Sequence, residues 1–180
     1  NSLERRGVKE LQLTNQQVVD MMGAYSSSLE ESARLLGATF AAGLPKRMSV
    51  DPAHLIASGE KTLPTLKGGD VVFNNNFAQV DEFSRLTGGV ATLFVRDGDS
   101  FFRVTTSVKN KEGVRVTGTA LEAKHPAYRL LLEGQPYVGK ATLFGKDYMT
   151  RYLPIKDEAD KVIGIAFVGL DLTESIKALK

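Results

Sequence analysis

The sequence predicts an α+β domain in which a largely antiparallel sheet of five or six strands packs on a long N-terminal helix. Residues 1 to about 42 contain no proline and repeat apolar residues at helical spacing. Most of the second half alternates short β-type segments with the turn sequences DGD, GKD and KDEADK. Such tight turns join neighbouring antiparallel strands, so the sheet is expected to be largely antiparallel.

The predicted N-terminal helix is longer than the core of one domain needs. About 38 residues at 1.5 Å each form a rod of roughly 57 Å. We expect one half to pack on the domain and the other half to pair with a second helix, which predicts a homodimer through this helix. The alternative is a single surface helix. The apolar stripe consists of Val8, Leu11, Val18, Met22, Tyr25, Leu29, Leu36 and Phe40.

The segment AGLPKRMSVDP ends this helix, and the residues that follow lack a helical pattern. Residues 44–70 hold three prolines, which predicts a loop with at most one short helix. DVVFNN is a short strand, and NFAQVDEFSRLTGG is a helix that ends in a left-handed cap at Gly88 and Gly89. VATLFVR and SFFRVTTSV then form a hairpin around DGD.

The remaining segments are one helix and three strands. HPAYRLLLEG begins with proline and ends in glycine, as short helices do. YVGKATLF, YMTRYLPI and VIGIAFVGLDL are the strands, and the last is apolar on both faces, which is typical of a central strand. The expected organisation is a signalling and dimerisation helix in 1–43, a ligand-binding module in 44–172 and the start of a C-terminal helix in 173–180.

Composition excludes several classes of function. Apolar residues make up 42% and charged residues 24%, and the net charge of +2 predicts no nucleic-acid partner. The absence of cysteine excludes disulfides, thiolate metal sites and a cysteine nucleophile. No apolar run reaches about 18 residues, and the opening NSLERRG lacks the apolar region of a signal peptide. We expect this opening to be a cut within a longer protein.

Motifs for catalysis and for cofactors are missing. The sequence has two histidines, His54 and His125, with no metal-ligand spacing between them or to a carboxylate. Neither Gly-x-Ser-x-Gly nor Gly-x-Gly-x-x-Gly occurs. We therefore expect no catalytic residues, no metal and no cofactor, with His125 a local cap or a surface residue.

Arg103 is the most informative residue, because it lies within the strand segment FFRVTTSV. Strict alternation predicts Phe101, Arg103, Thr105 and Ser107 on one face, and Phe102, Val104, Thr106 and Val108 on the other, beneath the long helix. We expect the HPAYRLLLEG helix and the loops of 44–76 to cover the face of Arg103. A guanidinium removed from water without a partner costs several kcal/mol.

Two kinds of partner for Arg103 remain open from the residues alone. One is an internal carboxylate, Asp97, Asp99 or Asp147. The other is a small anionic ligand, and a carboxylate matches the planar fork of arginine with two parallel hydrogen bonds. The tyrosines of the C-terminal half favour a ligand slightly, because each offers an apolar wall and one hydroxyl. Gly139 and Ala141 leave room beside them. These tyrosines are Tyr128, Tyr137, Tyr148 and Tyr152.

Residues from about 90 to 172 carry a family resemblance. The strings RVTT, HPAY, ATLFG, Y-x-P-I-x-D and G-x-x-F-V-G-x-D occur in this order. The chain resembles the extracytoplasmic Cache sensor domains of bacterial methyl-accepting chemotaxis receptors. It is similar, more narrowly, to the single-module group related to the combined Cache 3–Cache 2 family. This resemblance implies a PAS-like sheet on a long helix, a periplasmic location between transmembrane helices outside this sequence, dimerisation and a short carboxylate ligand.

We therefore expect a chemoreceptor sensor domain in which Arg103 binds acetate, propionate or pyruvate. Thr105 and Tyr148 would add hydroxyl contacts, and Tyr128 and Tyr137 would close the sides. An apolar wall that limits the ligand to two or three carbons would come from Phe94 and Phe101. The first alternative is a dimerising module without a ligand, in which Arg103 pairs internally. The second is a cytoplasmic PAS-like domain with haem or flavin.

Overall fold

A computed structural model describes residues 14–173 of the 180-residue chain. Its strands form a five-stranded antiparallel sheet in the order β5-β4-β8-β7-β6 and a three-stranded sheet in the order β1-β2-β3. The predicted α+β fold is confirmed, with β8 at the centre of the main sheet. The elements are α1 (Asn15–Ala42), β1 (Met48–Ser58), β2 (Lys61–Gly68), β3 (Val71–Val72), α2 (Ala78–Thr87), β4 (Val90–Asp97), β5 (Ser100–Thr106), α3 (Pro126–Leu132), β6 (Tyr137–Leu143), β7 (Lys146–Lys156) and β8 (Val162–Asp171).

Helix α1 has 28 residues instead of the expected 38 or so. It begins at Asn15 because Thr14 and Gln17 form a capping box, in which each side chain accepts from the backbone N–H of the other residue. The part of the helix prediction that falls on residues 1–13 lies outside the described residues. Residues 15–24 are exposed, whereas Ala33 and Phe40 are buried against the body of the domain.

Each face of the main sheet has its own cover. Ala166 and Val168 of β8 point to the side of α1, α2 and the three-stranded sheet, which we call the α1 face. Ile165 and Phe167 point to the side of α3 and the loop of residues 107–125, which we call the α3 face. Both faces are therefore buried along β8, which explains its continuous apolar sequence.

The prediction of a loop for residues 44–70 is wrong, because these residues form β1 and β2. Pro52 lies where the register of β1 shifts, so the ladder does not need its missing N–H. Pro64 pairs with Leu55 on one side only, since β3 contacts β2 at Lys67 and Gly68. Prolines are tolerated in strands at such positions, so three prolines in 44–70 do not exclude strands.

The two short helices are confirmed at their termini. Gly88 ends α2 with a left-handed φ of 75°, and His125 caps α3, in which Pro126 is the first residue. The predicted C-terminal helix falls almost entirely beyond the described residues. Among residues 14–173, no helix combines the length and apolarity that a membrane span requires.

The faces predicted for β5 are only half right. A β-bulge opposite Leu93 and Phe94 pairs Leu93 with Thr105 but Phe94 with Arg103. Because neighbours on β4 point to opposite faces, Thr105 lies on the α1 face and Arg103 on the α3 face. Beyond the bulge, Thr106 and Val108 therefore share the face of Arg103. The predicted position of β5 beneath the long helix is also wrong, because α1 packs on β6, β7 and β8.

Candidate ligand-binding site

Arg103 is buried on the α3 face, with 4% of its surface exposed. The loop of residues 107–125 runs along the free edge of β5 and holds its backbone. The Arg103 N–H donates to the Thr119 carbonyl at 2.9 Å, and the Gly118 N–H donates to the Arg103 carbonyl at 2.7 Å. The prediction that loops of 44–76 cover Arg103 is therefore wrong, because those residues pack on the α1 face.

The guanidinium of Arg103 meets neutral groups. Its Nη1 donates to the Thr119 hydroxyl at 3.0 Å and to the Ala120 carbonyl at 3.2 Å. The ring centroid of Phe94 lies 4.9 Å from its Cζ. Burial lowers the pKa of Arg103 to about 10, which still leaves the side chain charged near neutral pH. Within residues 14–173, no carboxylate lies at ion-pair distance from it, and neither Nε nor Nη2 has a hydrogen-bond acceptor.

The three acids proposed as internal partners lie elsewhere. Asp99 pairs with Arg96 at 3.1 Å, and Asp147 accepts from the Thr142 hydroxyl at 2.5 Å. Asp97 is exposed at the end of β4. No acid of the described residues forms an ion pair with Arg103, and the only acid whose charge acts on it is Glu122, an exposed residue that raises the pKa of Arg103 without reaching ion-pair distance.

Tyr152 supplies a second polar group to the same region. Its side chain is fully buried, and its hydroxyl has no hydrogen-bond partner among the described residues. Burial raises the pKa of Tyr152 far above its ordinary value, an effect that the positive charge of Arg103 opposes and that Tyr137 reinforces. A buried hydroxyl without a partner is costly, so Tyr152 marks a place where a polar ligand atom would fit.

Tyr152 is one of the four tyrosines named from the sequence, but no ligand contact was predicted for it. Its ring lies 6.5 Å from that of Phe94, which also contacts Arg103. The available signal was its register: Tyr152 pairs with Tyr137 across β6 and β7, so two tyrosines fall side by side on the α3 face. The sequence does not show which residue of β6 pairs with Tyr152, so the position of Tyr152 beside Tyr137 could not be predicted.

His125 lies beside the tyrosines and is the cap that was expected. Its Nδ1 accepts from the Ala127 N–H at 3.0 Å, so a neutral ring carries its proton on Nε2. The ring packs against Tyr152 and Tyr137, with centroid distances of 5.2 and 5.7 Å. Burial first and the charge of Arg103 second lower the pKa of His125 below its ordinary 6.5, which keeps the ring neutral at pH 7.

The remaining predicted residues divide between the two faces. Phe101 and Tyr128 lie on the α3 face with ring centroids 6.4 Å apart, but the Tyr128 hydroxyl already donates to the Asp99 carbonyl at 2.6 Å. The hydroxyl of Tyr137 fills the space that a Cβ at Gly139 would need, so Gly139 makes room for that tyrosine. Thr105 lies on the opposite face and donates to the Asn76 carbonyl at 2.7 Å.

An open groove of about 430 Å³ lies between the end of β5 and the β6–β7 turn. Tyr148, which is buried, and Phe144 are its aromatic residues. The Phe144 ring centroid also lies 5.2 Å from the Cζ of Arg103. Phe144 therefore belongs to both the groove and the surroundings of Arg103, and it is absent from the site residues predicted from the sequence.

The site is a cluster of polar groups on the α3 face. It combines a buried cation, an unpartnered hydroxyl and a neutral histidine. No group of three or more His, Asp or Glu side chains that could hold a metal ion occurs in residues 14–173.

The model of the Cache 3/Cache 2 fusion domain family matches residues 2–180. The chain belongs to this Cache family.

Cache domains are extracytoplasmic sensor modules that bind small-molecule ligands, and they are generally not enzymes. The family match confirms the resemblance noted in the sequence, and it agrees with the helix and the antiparallel sheet described above. No curated protein matches the chain.

Proposed function

We propose that this Cache domain senses a short carboxylate such as acetate, propionate or pyruvate on the α3 face of its main sheet. The observation that carries the proposal is the buried guanidinium of Arg103, which meets neutral acceptors through Nη1 and forms no ion pair with an acid of residues 14–173, where Glu122 acts on it only from a longer distance. A carboxylate would bring a negative charge to ion-pair distance and would accept from the donors on Nε and Nη2.

The neighbours of Arg103 support this ligand class. The Tyr152 hydroxyl would donate to the carboxylate, and Phe94 would contact the short carbon chain. Tyr137 and Tyr148 would line the sides, and Phe101 with Tyr128 would support the wall behind them. Thr105 has no place in this site, because its hydroxyl lies across the sheet.

The location and the output are also proposed. We infer a periplasmic domain of an inner-membrane chemoreceptor, or of a related transmembrane receptor, with membrane helices outside this sequence. Ligand binding would favour one position of α1 on the sheet. The coupling free energy between two such sites is on the order of 1–3 kcal/mol. The contact of α1 with β7 and β8, directly behind the site, supports this route.

Thermal shift with acetate, propionate and pyruvate tests the ligand. At one hundred times its dissociation constant, the correct acid stabilises the fold by about 2.7 kcal/mol. We expect Arg103→Met to abolish this shift. Arg129→Met removes the same charge from an exposed position on α3 and is the matched control, which should respond as the wild type does.

Two outcomes would overturn the proposal. If none of the three acids shifts the wild-type protein, the ligand class is wrong. If Arg103→Met responds as Arg129→Met does, Arg103 is not the anchor.

The partner of α1 is proposed to be a second copy of the chain. Residues 15–24 of α1 contribute nothing to the core, yet they present Val18, Val19, Met21 and Met22 to solvent, each at least 40% exposed. Val18 and Met22 continue the stripe that is buried further along at Ala33 and Phe40, so one face serves both contacts.

Sedimentation equilibrium of wild type and Met22→Glu tests this partner. We expect Met22→Glu to weaken self-association, whereas Ser27→Glu, on the opposite side of the helix, should leave it unchanged. A wild-type protein that stays monomeric at millimolar concentration would contradict the proposed homodimer.

A further inference from the structure

The turn between β6 and β7 has an unusual residue. Leu143 and Lys146 pair, so Phe144 and Gly145 are the two central residues of a hairpin turn. Their φ angles are 51° and 84°, the left-handed conformation that this kind of turn requires at both positions. Asparagine followed by glycine is the favoured pair, and a bulky aromatic residue is an outlier there. The turn therefore keeps a residue that its own backbone disfavours.

The ring of Phe144 gains a contact that asparagine could not make. Its centroid lies 5.2 Å from the Cζ of Arg103, on a guanidinium that already contacts Phe94. Phe144 is 37% exposed, whereas Arg103 is 4% exposed. The ring thus lies between solvent and the charged group, and a contact across a two-residue turn can open without unfolding a strand.

The groove on the other side of Phe144 is basic. It is lined by Lys109, Lys111 and Lys146, all exposed, and its lining includes no aspartate or glutamate. The aliphatic end of Lys111 lies close to the backbone of Gly145, so the lysines surround the turn itself. Clustered like charge at the mouth of a site raises the local concentration of anions and their rate of entry.

We propose that the β6–β7 turn is the gate of the Arg103 site, that Phe144 is its moving side chain, and that the three-lysine groove is the entrance for anions. This inference rests on the proposed function for its biological meaning. The inference adds the route by which an anion reaches Arg103. It also makes Phe144 a residue that selects ligands by size, because the ring of Phe144 must move further to admit a larger acid.

Chemical modification of arginine tests the gate without any ligand. Phenylglyoxal reacts with accessible guanidinium groups, and peptide mapping reports the rate at Arg103 relative to the exposed Arg129. We expect slow reaction of Arg103 in the wild type. In Phe144→Asn, which suits the turn and removes the ring, the ratio should rise by about tenfold or more. Phe144→Leu, which keeps an apolar cover, should stay near the wild type.

The matched control is Leu86→Asn, which removes an exposed apolar side chain from α2 on the other face of the sheet. A ratio in Phe144→Asn equal to that in Leu86→Asn overturns the gate. If Phe144→Asn melts below the wild type, Phe144→Gly repeats the measurement with a residue that the left-handed backbone accepts freely.

A charged reagent tests the entrance. In Phe144→Asn at low salt, carboxyphenylglyoxal should modify Arg103 faster than neutral phenylglyoxal does, relative to Arg129. Replacing Lys111 and Lys146 with glutamine should remove most of this preference, and so should added salt. An unchanged preference overturns the entrance. Because no acid ligand is involved, these results stand apart from the thermal-shift screen, and either proposal can fail alone.

Discussion

The side chain of Arg151 passes directly beneath Gly37, so that a Cβ built at Gly37 would lie 2.7 Å from the Arg151 Cγ and 3.3 Å from its Cβ. These are the inner atoms of the arginine, which cannot swing away as the end of a side chain can. Gly37 therefore lets α1 approach β7 more closely than any other residue would allow.

Gly37→Ala should destabilise the domain for this reason. We expect a loss of about 1–2 kcal/mol, because overpacking costs about 1–3 kcal/mol and the higher helix propensity of alanine returns up to about 1 kcal/mol. Urea denaturation measures the change. Gly23→Ala is the control, because nothing lies within 4 Å of a Cβ there, and it should stabilise by about 0.5–1 kcal/mol. Equal effects at the two positions would contradict the close contact.

Arg103→Met should keep or raise the stability of the unliganded protein. A buried charge without an ion-pair partner is expensive, and the two acceptors that it leaves, Thr119 and Ala120, are exposed and can bind water. Denaturant midpoints measure this effect.

Arg115→Met is the contrasting variant. Arg115 donates to both oxygens of Asp81 at 2.7 Å and stacks on Phe77 at 4.2 Å. Its loss should cost about 1 kcal/mol, the usual value of a well-aligned surface pair with added packing. A greater loss for Arg103→Met than for Arg115→Met would show that Arg103 has a structural role.

Tyr152→Phe should stabilise the unliganded protein but weaken binding of the ligand. The hydroxyl is buried and unpartnered within the described residues, so its removal should stabilise the free protein by about 1 kcal/mol. Titration of the acid found by the thermal-shift screen should show weaker binding. A destabilised variant would mean that the hydroxyl has a partner in the unliganded protein.

Stability should fall in mild acid because of His125. Its pKa in the folded protein is below 6.5, so as the pH falls through 6.5 the unfolded chain binds a proton that the folded chain does not. Protonation at Nδ1 would also end the cap on the Ala127 N–H. Above 6.5 the ring is neutral in both states and contributes no pH dependence.

His125→Asn, which caps helices without titrating, should therefore lose less stability than the wild type between about pH 7.5 and pH 5.5. Thermal unfolding at a series of pH values makes the comparison. Parallel curves would show that the pKa of His125 is unchanged by folding.

Most elements of the fold could be predicted from local sequence patterns. The apolar periodicity of α1, the DGD turn and the proline at the start of α3 each act over a few residues. The hairpin and α3 form where expected, and α1 ends where expected although it begins at Asn15. The β1–β2 hairpin was missed because its prolines are acceptable only in a particular pairing, which the sequence does not state.

The site was predicted less completely for a similar reason. Arg103 stood out because a charge in an apolar strand is conspicuous, but the faces of its neighbours depend on a bulge that exists only in the pairing of β5 with β4. That single irregularity moved Thr105 across the sheet. Phe144 was invisible to pattern analysis, since an aromatic residue before glycine does not indicate a left-handed turn.

Phe167 and Val168 are adjacent in β8, yet the first contacts Tyr152 and the second lies 3.6 Å from where a Cβ at Gly37 would be. The thickness of one strand thus separates the proposed chemical input from the proposed mechanical output. Substitutions that lock such a receptor on or off without touching its ligand should therefore concentrate at alternate positions of β8, and a selection for constitutive mutants would reveal that two-residue rhythm.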